Sequence, residues 1–403
     1  MDSSNTDGAN FLLLLPPPPT PLSHTALNSS YGDTIREVLK EAASSSQESK
    51  DASVLEIALA CPHLINHQYQ RRSQLYHRTQ SIVAGLYKLI CIIAAQDHIN
   101  VEDSDGVDVR VLLIAWSPAH PQNATGSVRP LGPVITLQAL GASQRPWQYA
   151  FGVENQEGEA FVRAFVKVKG GQARPVRVIG GDISLQRRNV DVSHSDIRHR
   201  SVAVGGTFDH IHIGHKLLLT MTLFAVDEPA VDEPGERSIV IGITGDELLK
   251  NKKYAEYLES WHSRQTSAYR FIQAIMDFTP PDSAQPTIKE VNESGPNGHA
   301  VNVTFSPDLT VKFVEIGDPF GPTITDKDIS ALIISAETRS GGKAVNDKRT
   351  EKGWSSLQVF EVDVLDAKEA DFDGESKESN DFQNKLSSTE IRRKISAKAT
   401  KLA

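Results

Sequence analysis

Two histidines three residues apart, His212 and His215, close the string Gly205-Gly206-Thr207-Phe208-Asp209-His210-Ile211-His212-Ile213-Gly214-His215. A short apolar run precedes the string and a helical pattern follows it, so it falls where a strand gives way to a helix. Glycines at such a junction let the main chain approach a phosphate closely. The helix start offers free N–H groups and partial positive charge to an anion. Both imidazoles can face that anion and donate hydrogen bonds to charge developing at phosphorus. A second string, Lys385-Leu386-Ser387-Ser388-Thr389-Glu390-Ile391-Arg392, places Ser387 three residues before Glu390, the capping-box spacing that opens a helix. Its hydroxyls and N–H groups suit the β and γ phosphates of a nucleotide, and Arg392 adds positive charge.

These groups need a scaffold that gathers distant parts of the chain at one edge. Beyond residue 200, apolar runs alternate with helical patterns. Strands are expected at residues 201–204, 238–243, 301–305, 312–316, 331–334 and 357–364, and helices at 213–225 and 264–278. Ile213, Leu217, Leu218, Met221 and Ala225 form one stripe along the first of these helices. Continuous apolar strands between helices indicate an α/β fold with a parallel sheet covered on both faces. Ligands of such sheets sit outside the carboxyl ends of the strands, where the two-histidine string lies. Residues 279–298, with four prolines, are expected to form a loop, and residues 367–381 an acidic solvated linker.

His212-Ile213-Gly214-His215 matches the HxGH signature of the nucleotidylyltransferase superfamily. The full string resembles phosphopantetheine adenylyltransferases of the eukaryotic and archaeal type. Residues 385–392 resemble the ISSTxIR signature of that family, with Leu386 in place of the usual Ile. Asp246 to Tyr254, DELLKNKKY, is similar to the segment that receives the acceptor's phosphate. Ser335 to Asn346, SAETRSGGKAVN, resembles the family's SEETxxGG segment, with Ala336 where many members carry Glu. Asp318-Pro319-Phe320-Gly321-Pro322 also looks familial and is expected to shape the site.

The resemblance implies a Rossmann-like nucleotidylyltransferase domain over residues 200–401. It also implies transfer of AMP from ATP to 4′-phosphopantetheine, giving dephospho-coenzyme A and pyrophosphate. On this mapping His212, His215, Lys253 and Arg392 are catalytic. Gly205, Gly206, Thr207, Phe208, Asp209, Gly214, Asp246, Arg339, Ser387, Ser388 and Thr389 bind ATP or acceptor. Lys250 and Lys252 compete with Lys253 for the acceptor phosphate, Asp246 would hydrogen-bond the pantetheine arm, and Arg339 would reach a phosphate or cover the adenine. Mg²⁺ is expected to accompany ATP, with no residue assigned as a metal ligand. Two alternatives stand beside this reading. One is another HxGH enzyme with a different phosphate acceptor; the other is a scaffold subunit of a coenzyme A synthesis complex. An aminoacyl-tRNA synthetase would need a KMSKS-like loop and a basic face, and the sequence has neither.

The rest of the composition narrows the class. The chain has 403 residues, a formal charge of −9 and two cysteines, Cys61 and Cys91. An acidic balance argues against nucleic acid as a partner, and two thiols exclude both a disulfide scaffold and a four-thiolate zinc site. No run of about 18 apolar residues is found; the best, residues 82–95, is short and holds Lys88. A cytoplasmic protein with no membrane partner is expected, the nucleus being left open. Residues 1–50, rich in Ser, Pro, Asn and Gly, are expected to be a disordered leader with one short helix at 34–43. Residues 54–180 suggest a smaller α+β domain with no site motif and room for partners from the same pathway. Its helices are expected at 54–59 and 74–95, its strands at 109–116, 134–140, 147–153 and 160–168. His63, His67 and His77 lack acidic or thiol companions at ligand spacing. Residues 184–199 form the expected linker. Lys343 is followed by Ala344, so the phosphate-loop pattern of a fused kinase is missing.

Overall fold

The computed structural model describes residues 8–49, 52–66, 70–101, 106–119, 130–170, 176–180, 197–229, 235–280, 282–363 and 387–402. The expected linker at 184–199, apart from its last three residues, lies outside them, as do the acidic run at 367–381, His67, Lys385 and Leu386. The chain divides into two compact units. The first comprises Met1–His67, Ser81–Val192 and Ile275–Ser283; the second comprises Gln68–Gln80, Ser193–Ala274 and Ala284–Ala403.

In the first unit the strands are β1 (Asn10–Leu15), β2 (Ser53–Ala60), β3 (Val107–Ile114), β4 (Val134–Ile135), β5 (Tyr149–Glu154) and β6 (Val176–Gly180). They form one parallel sheet in the order β4-β3-β2-β1-β5-β6. Its helices are α1 (His24–Leu27), α2 (Asp33–Ser49), part of α3 (Arg72–Gln96), α4 (Leu137–Ala142) and α5 (Gln156–Val168). This is an α/β layer arrangement rather than the α+β unit expected from the sequence.

The expected disordered leader is corrected here. Phe11 to Leu15 form a central strand buried on both faces, and Ile35, Val38, Leu39 and Ala42 of α2 are buried with it. Five consecutive apolar residues suffice for such a strand, but the surrounding Pro, Ser and Asn hide them in any composition average. Residues 54–59 form β2 instead of a helix, because a short, fully buried apolar run satisfies either pattern. Residues 160–168 belong to α5, not a strand; Asn155 caps that helix by accepting a hydrogen bond from Gly158 N at 2.8 Å. Helix α3, at 25 residues, is the one described helix long and apolar enough to cross a membrane, and 67% of its apolar window is buried within the protein. Cys61 and Cys91 are both buried and not joined in a disulfide.

The second unit holds β7 (Ser201–Gly206), β8 (Arg237–Thr244), β9 (Thr287–Asn292), β10 (His299–Ser306), β11 (Leu309–Ile316), β12 (Ala331–Ser335) and β13 (Gln358–Val362). Their order is β13-β12-β7-β8-β11-β10-β9. Strands β13, β12, β7, β8 and β11 run parallel, while β9 and β10 complete an antiparallel edge. Strand β9 falls inside the stretch expected to be a loop. It is an edge strand with nearly every side chain exposed, so no burial pattern marks it. Helices α6 (Ile213–Phe224), α7 (Trp261–Met276), α8 (Arg339–Glu351) and a last described helix, Ser388–Leu402, complete the unit. From β7 the chain steps to β8 on one side and later to β12 on the other. The carboxyl ends of β7 and β12 therefore flank a topological switch point.

The second unit also takes in Gln68–Gln80, the start of α3 among them. Arg72 donates its N–H to Asp227 at 2.7 Å and its guanidinium to Glu228 at 2.6 Å, and the Tyr76 ring lies 4.5 Å from that of Phe360.

Candidate active site

The loop leaving β7 is held in an unusual backbone path. Phe208 and His210 both have positive φ, at 51° and 47°, a region costly for residues with side chains. Burial and hydrogen bonds offset that cost. The Phe208 ring is fully buried, and a Cβ on Gly206 would stand 3.0 Å from it. Asp209, also fully buried, accepts a hydrogen bond from Glu259 N at 2.9 Å. Glu259 answers by accepting from His210 N at 2.7 Å, while His210 Nε2 donates to the Tyr257 carbonyl at 3.0 Å.

These bonds set up the two imidazoles. His212 is the N-cap of α6, and its Nδ1 accepts from Gly214 N at 3.2 Å. The proton of the neutral ring then sits on Nε2, which is left as a donor. The His212 and His215 rings lie 4.0 Å apart, centroid to centroid, with 31° between their planes. Burial holds His212 well below the usual histidine range, with the charges of His215, Lys216 and His210 acting in the same sense. Burial likewise pushes His215 down to about 4, against the upward pull of Asp209 and the His210 backbone. His215 Nδ1 is buried without a hydrogen-bond partner. Near neutral pH both rings are thus uncharged donors rather than cations. Gly214 is needed for the pair, since a Cβ there would stand 3.1 Å from the His212 ring.

The second string reaches the same loop. Ser388 Oγ donates to the Asp209 carbonyl at 2.8 Å, and the Arg392 guanidinium forms a buried ion pair with the Asp209 carboxylate. Ser387 Oγ accepts from Glu390 N at 3.3 Å, the cap expected from their spacing. Arg392 also donates to the Lys253 carbonyl at 3.2 Å and to Thr389 Oγ1 at 3.3 Å. Each of its three nitrogens is therefore engaged. The expectation that Arg392 adds charge for a phosphate gives way to a role as a buried clamp.

Other expected site residues divide in the same way. Asp246 accepts from Trp261 N at 3.2 Å and pairs with Arg264 at 2.6 Å, while about half of its side chain stays exposed. Lys250 is paired with Glu247, whereas the side chains of Lys252 and Lys253 are exposed. Arg339 opens α8 beyond β12, where its exposed guanidinium grips the Glu361 carboxylate of β13 at both ends. Gly205 is exposed at the end of β7, with open space where a Cβ would point. Asp318 accepts from Phe320 N at 2.7 Å and Gly321 N at 2.8 Å, which folds the loop as its expected shaping role requires. Those bonds and one from Asn297 hold its carboxyl below the usual range.

Arg264 was not legible as a site residue. Fully buried, it donates to the carbonyls of Glu259 at 2.9 Å, Thr207 at 2.7 Å and Thr244 at 2.9 Å, and to Asp246. It thereby ties the exits of β7 and β8 together. The available signal was its place on the apolar face of α7, in line with Ala268, Ile272 and Ile275.

Residues 203–394 match the family described as Cytidylyltransferase-like, and residues 1–185 match a Domain of unknown function (DUF8446). Residues 203–394 are thus similar to cytidylyltransferase-like proteins. Sequence relatives include phosphopantetheine adenylyltransferases. A phosphopantetheine adenylyltransferase of Saccharomyces cerevisiae is 36% identical over 198 residues, covering 49% of this chain and 49% of its own. One from Thermococcus kodakarensis is 27% identical over 168 residues, 42% of this chain and 77% of its own. An uncharacterized protein of Schizosaccharomyces pombe is 32% identical over 239 residues, 57% of this chain and 61% of its own. The chain thus spans about half to three-fifths of the two yeast relatives.

Proposed function

We propose that the protein transfers AMP from ATP to 4′-phosphopantetheine, giving dephospho-coenzyme A and pyrophosphate. One observation carries this reading: the Ser388 and Arg392 contacts with Asp209 seat a hydroxyl-bearing helix start against the loop of paired imidazoles. Similarity to phosphopantetheine adenylyltransferases over somewhat less than half of the chain supports the choice of acceptor.

The acceptor's phosphate monoester, already anionic, attacks the α-phosphorus of ATP in line, and the bond to the β-phosphate oxygen breaks to release pyrophosphate. No covalent enzyme intermediate is needed. Catalysis then rests on holding two anions together and on stabilising the charge that spreads over the transferring group. His212 Nε2–H and the His215 ring donate to phosphate oxygens. Their neutral state suits that role, because two cations 4.0 Å apart in a buried site would repel. Gly205, Gly206, Thr207 and the first turn of α6 receive ATP, with Phe208, Asp209 and Gly214 shaping the loop. Lys253, with Lys252 as the nearest competitor, neutralises the acceptor; the pairing of Lys250 with Glu247 disfavours it. Ser387 and Thr389, whose hydroxyls act only as acceptors among the described residues, donate to the leaving pyrophosphate, while Ser388 anchors the helix start through the Asp209 carbonyl. Mg²⁺ is proposed to arrive on the triphosphate: Asp209, the carboxylate beside the imidazoles, is occupied by Arg392 and Glu259 N, so water and phosphate oxygens would hold the ion.

The test is incubation of pure protein with ATP, Mg²⁺ and 4′-phosphopantetheine, following pyrophosphate and dephospho-coenzyme A. Nicotinamide mononucleotide and phosphocholine serve as rival acceptors, and CTP as a rival donor. Faster turnover with a rival would reassign the substrate, and no pyrophosphate with any pair would remove the reading altogether.

A further inference from the structure

The first unit presents its own open α/β edge, which the proposed reaction does not use. Its strand order places β2 on one side of β1 and β5 on the other, so the winding turns about β1. The crevice outside the carboxyl ends of β1 and β5 is the position where open parallel sheets take their ligands. Pro16 leaves β1 there, and α5 starts there after β5.

Polar groups without partners gather at this edge. Trp116 lies just past β3 and is 3% exposed, yet its indole Nε1 has no hydrogen-bond partner. Its ring rests 4.6 Å, centroid to centroid, from that of Phe161 on α5. Glu157 stands one helical turn before Phe161 and shares its face. Its Oε2 is buried and also has no partner. Burial raises the Glu157 carboxyl above the usual glutamate value. Tyr31, fully buried, feels the charge of Glu157 and donates its hydroxyl to the Pro16 carbonyl at 2.6 Å. Trp116, Glu157, Tyr31 and Pro16 therefore converge over the turning point of the sheet.

Buried polar groups in folded proteins are nearly always satisfied. Here a donor-only indole packed on Phe161 and an acceptor oxygen one turn earlier on α5 are both left without a partner. They call for a guest with an acceptor beside a donor. The acidic first turn of α5, holding Glu157 and Glu159, disfavours a phosphate. We propose that this edge binds an uncharged small molecule through an adjacent acceptor–donor pair, the acceptor on Trp116 Nε1–H and the N–H on Glu157 Oε2. A primary carboxamide and the amino-substituted edge of an aminopurine both offer that pair, and the Phe161 ring supplies an apolar wall beside it.

The test uses the full-length protein with its four tryptophans labelled by ¹⁵N at the indole nitrogen. Trp116→Phe assigns the Trp116 resonance; if that variant does not fold, Phe161→Leu assigns it through the lost ring current. Titration with adenine and, separately, with nicotinamide is expected to move this resonance saturably with one of the two, which names the source of the pair. Glu157→Leu should weaken that binding about tenfold, the loss of one hydrogen bond. If neither probe at millimolar concentration moves the resonance, or Glu157→Leu binds as well as wild type, the proposal fails and trapped water accounts for the open groups. The readout does not involve nucleotidyl transfer, so its outcome is independent of the proposed reaction.

Discussion

Arg392→Met is the perturbation that best separates a clamp from a phosphate ligand. Arg392 and Asp209 are both almost wholly buried, and the guanidinium holds the Asp209 carboxylate, the Lys253 carbonyl and Thr389 Oγ1 together. Removing one member of a buried pair strands the other, at a cost of about 3–5 kcal/mol. In Arg392→Met the stranded group is the Asp209 carboxylate, which keeps its hydrogen bond from Glu259 N and a 3.7 Å approach of His210 Nε2. Asp209→Asn retains that acceptor and removes the charge. The double variant should therefore lose less than the two single losses added, with a coupling of about 1–3 kcal/mol. Urea unfolding, followed by a probe in the Ser388–Leu402 helix, measures the cycle. Hydrogen exchange across that helix should rise in each single variant. Additive losses, or an Arg392→Met protein of wild-type stability with only a raised KM for ATP, would refute the clamp and restore the phosphate role.

His215→Ala should keep its fold and lose about 10²–10³ in kcat, as when one preorganised donor is removed; pyrophosphate release and a thermal melt report the two quantities. The depressed pKa of His215 has a consequence for acid stability. Its folded value of about 4 lies below the ordinary 6.5, so between those pH values the unfolded chain binds more protons than the folded one. Stability should fall as pH drops through that window, and His215→Asn should flatten the slope in denaturant melts taken across it. Gly214→Ala should displace the His212 ring, given the 3.1 Å approach of the added Cβ, and lower kcat at least about tenfold while costing stability only about 1 kcal/mol or less; unchanged turnover would show that the ring position is slack.

The chemistry was legible where residue type alone names it. The imidazole pair, the glycines around it and the Ser387 cap stand in the sequence in the order the fold uses them. Strands β7, β8 and β12 were also legible, because an uninterrupted apolar run has one plausible use in an alternating pattern. Partnership was less visible. Nothing in the spacing of Asp209 and Arg392 shows that they neutralise each other, or that Arg339 pairs with Glu361. Arg264 was missed for a related reason, since three of its four partners are main-chain carbonyls, which carry no side-chain signature. In the first unit, composition obscured β1, and β2 was short enough to pass for helix.

The placement of Gln68–Gln80 changes where this chain can be divided. A cut made at the apparent linker near residue 190 would carry away Arg72 and Tyr76, removing one of the groups that hold Asp227 and Glu228 and one of the two rings against Phe360. Ile275–Ser283 raises the same difficulty in the opposite direction, since it begins within the last turn of α7 yet belongs to the first unit. Gene fragments that follow the order of the sequence would therefore inherit neither body whole. A transplantable second unit would need the start of α3 supplied in trans or spliced ahead of β7.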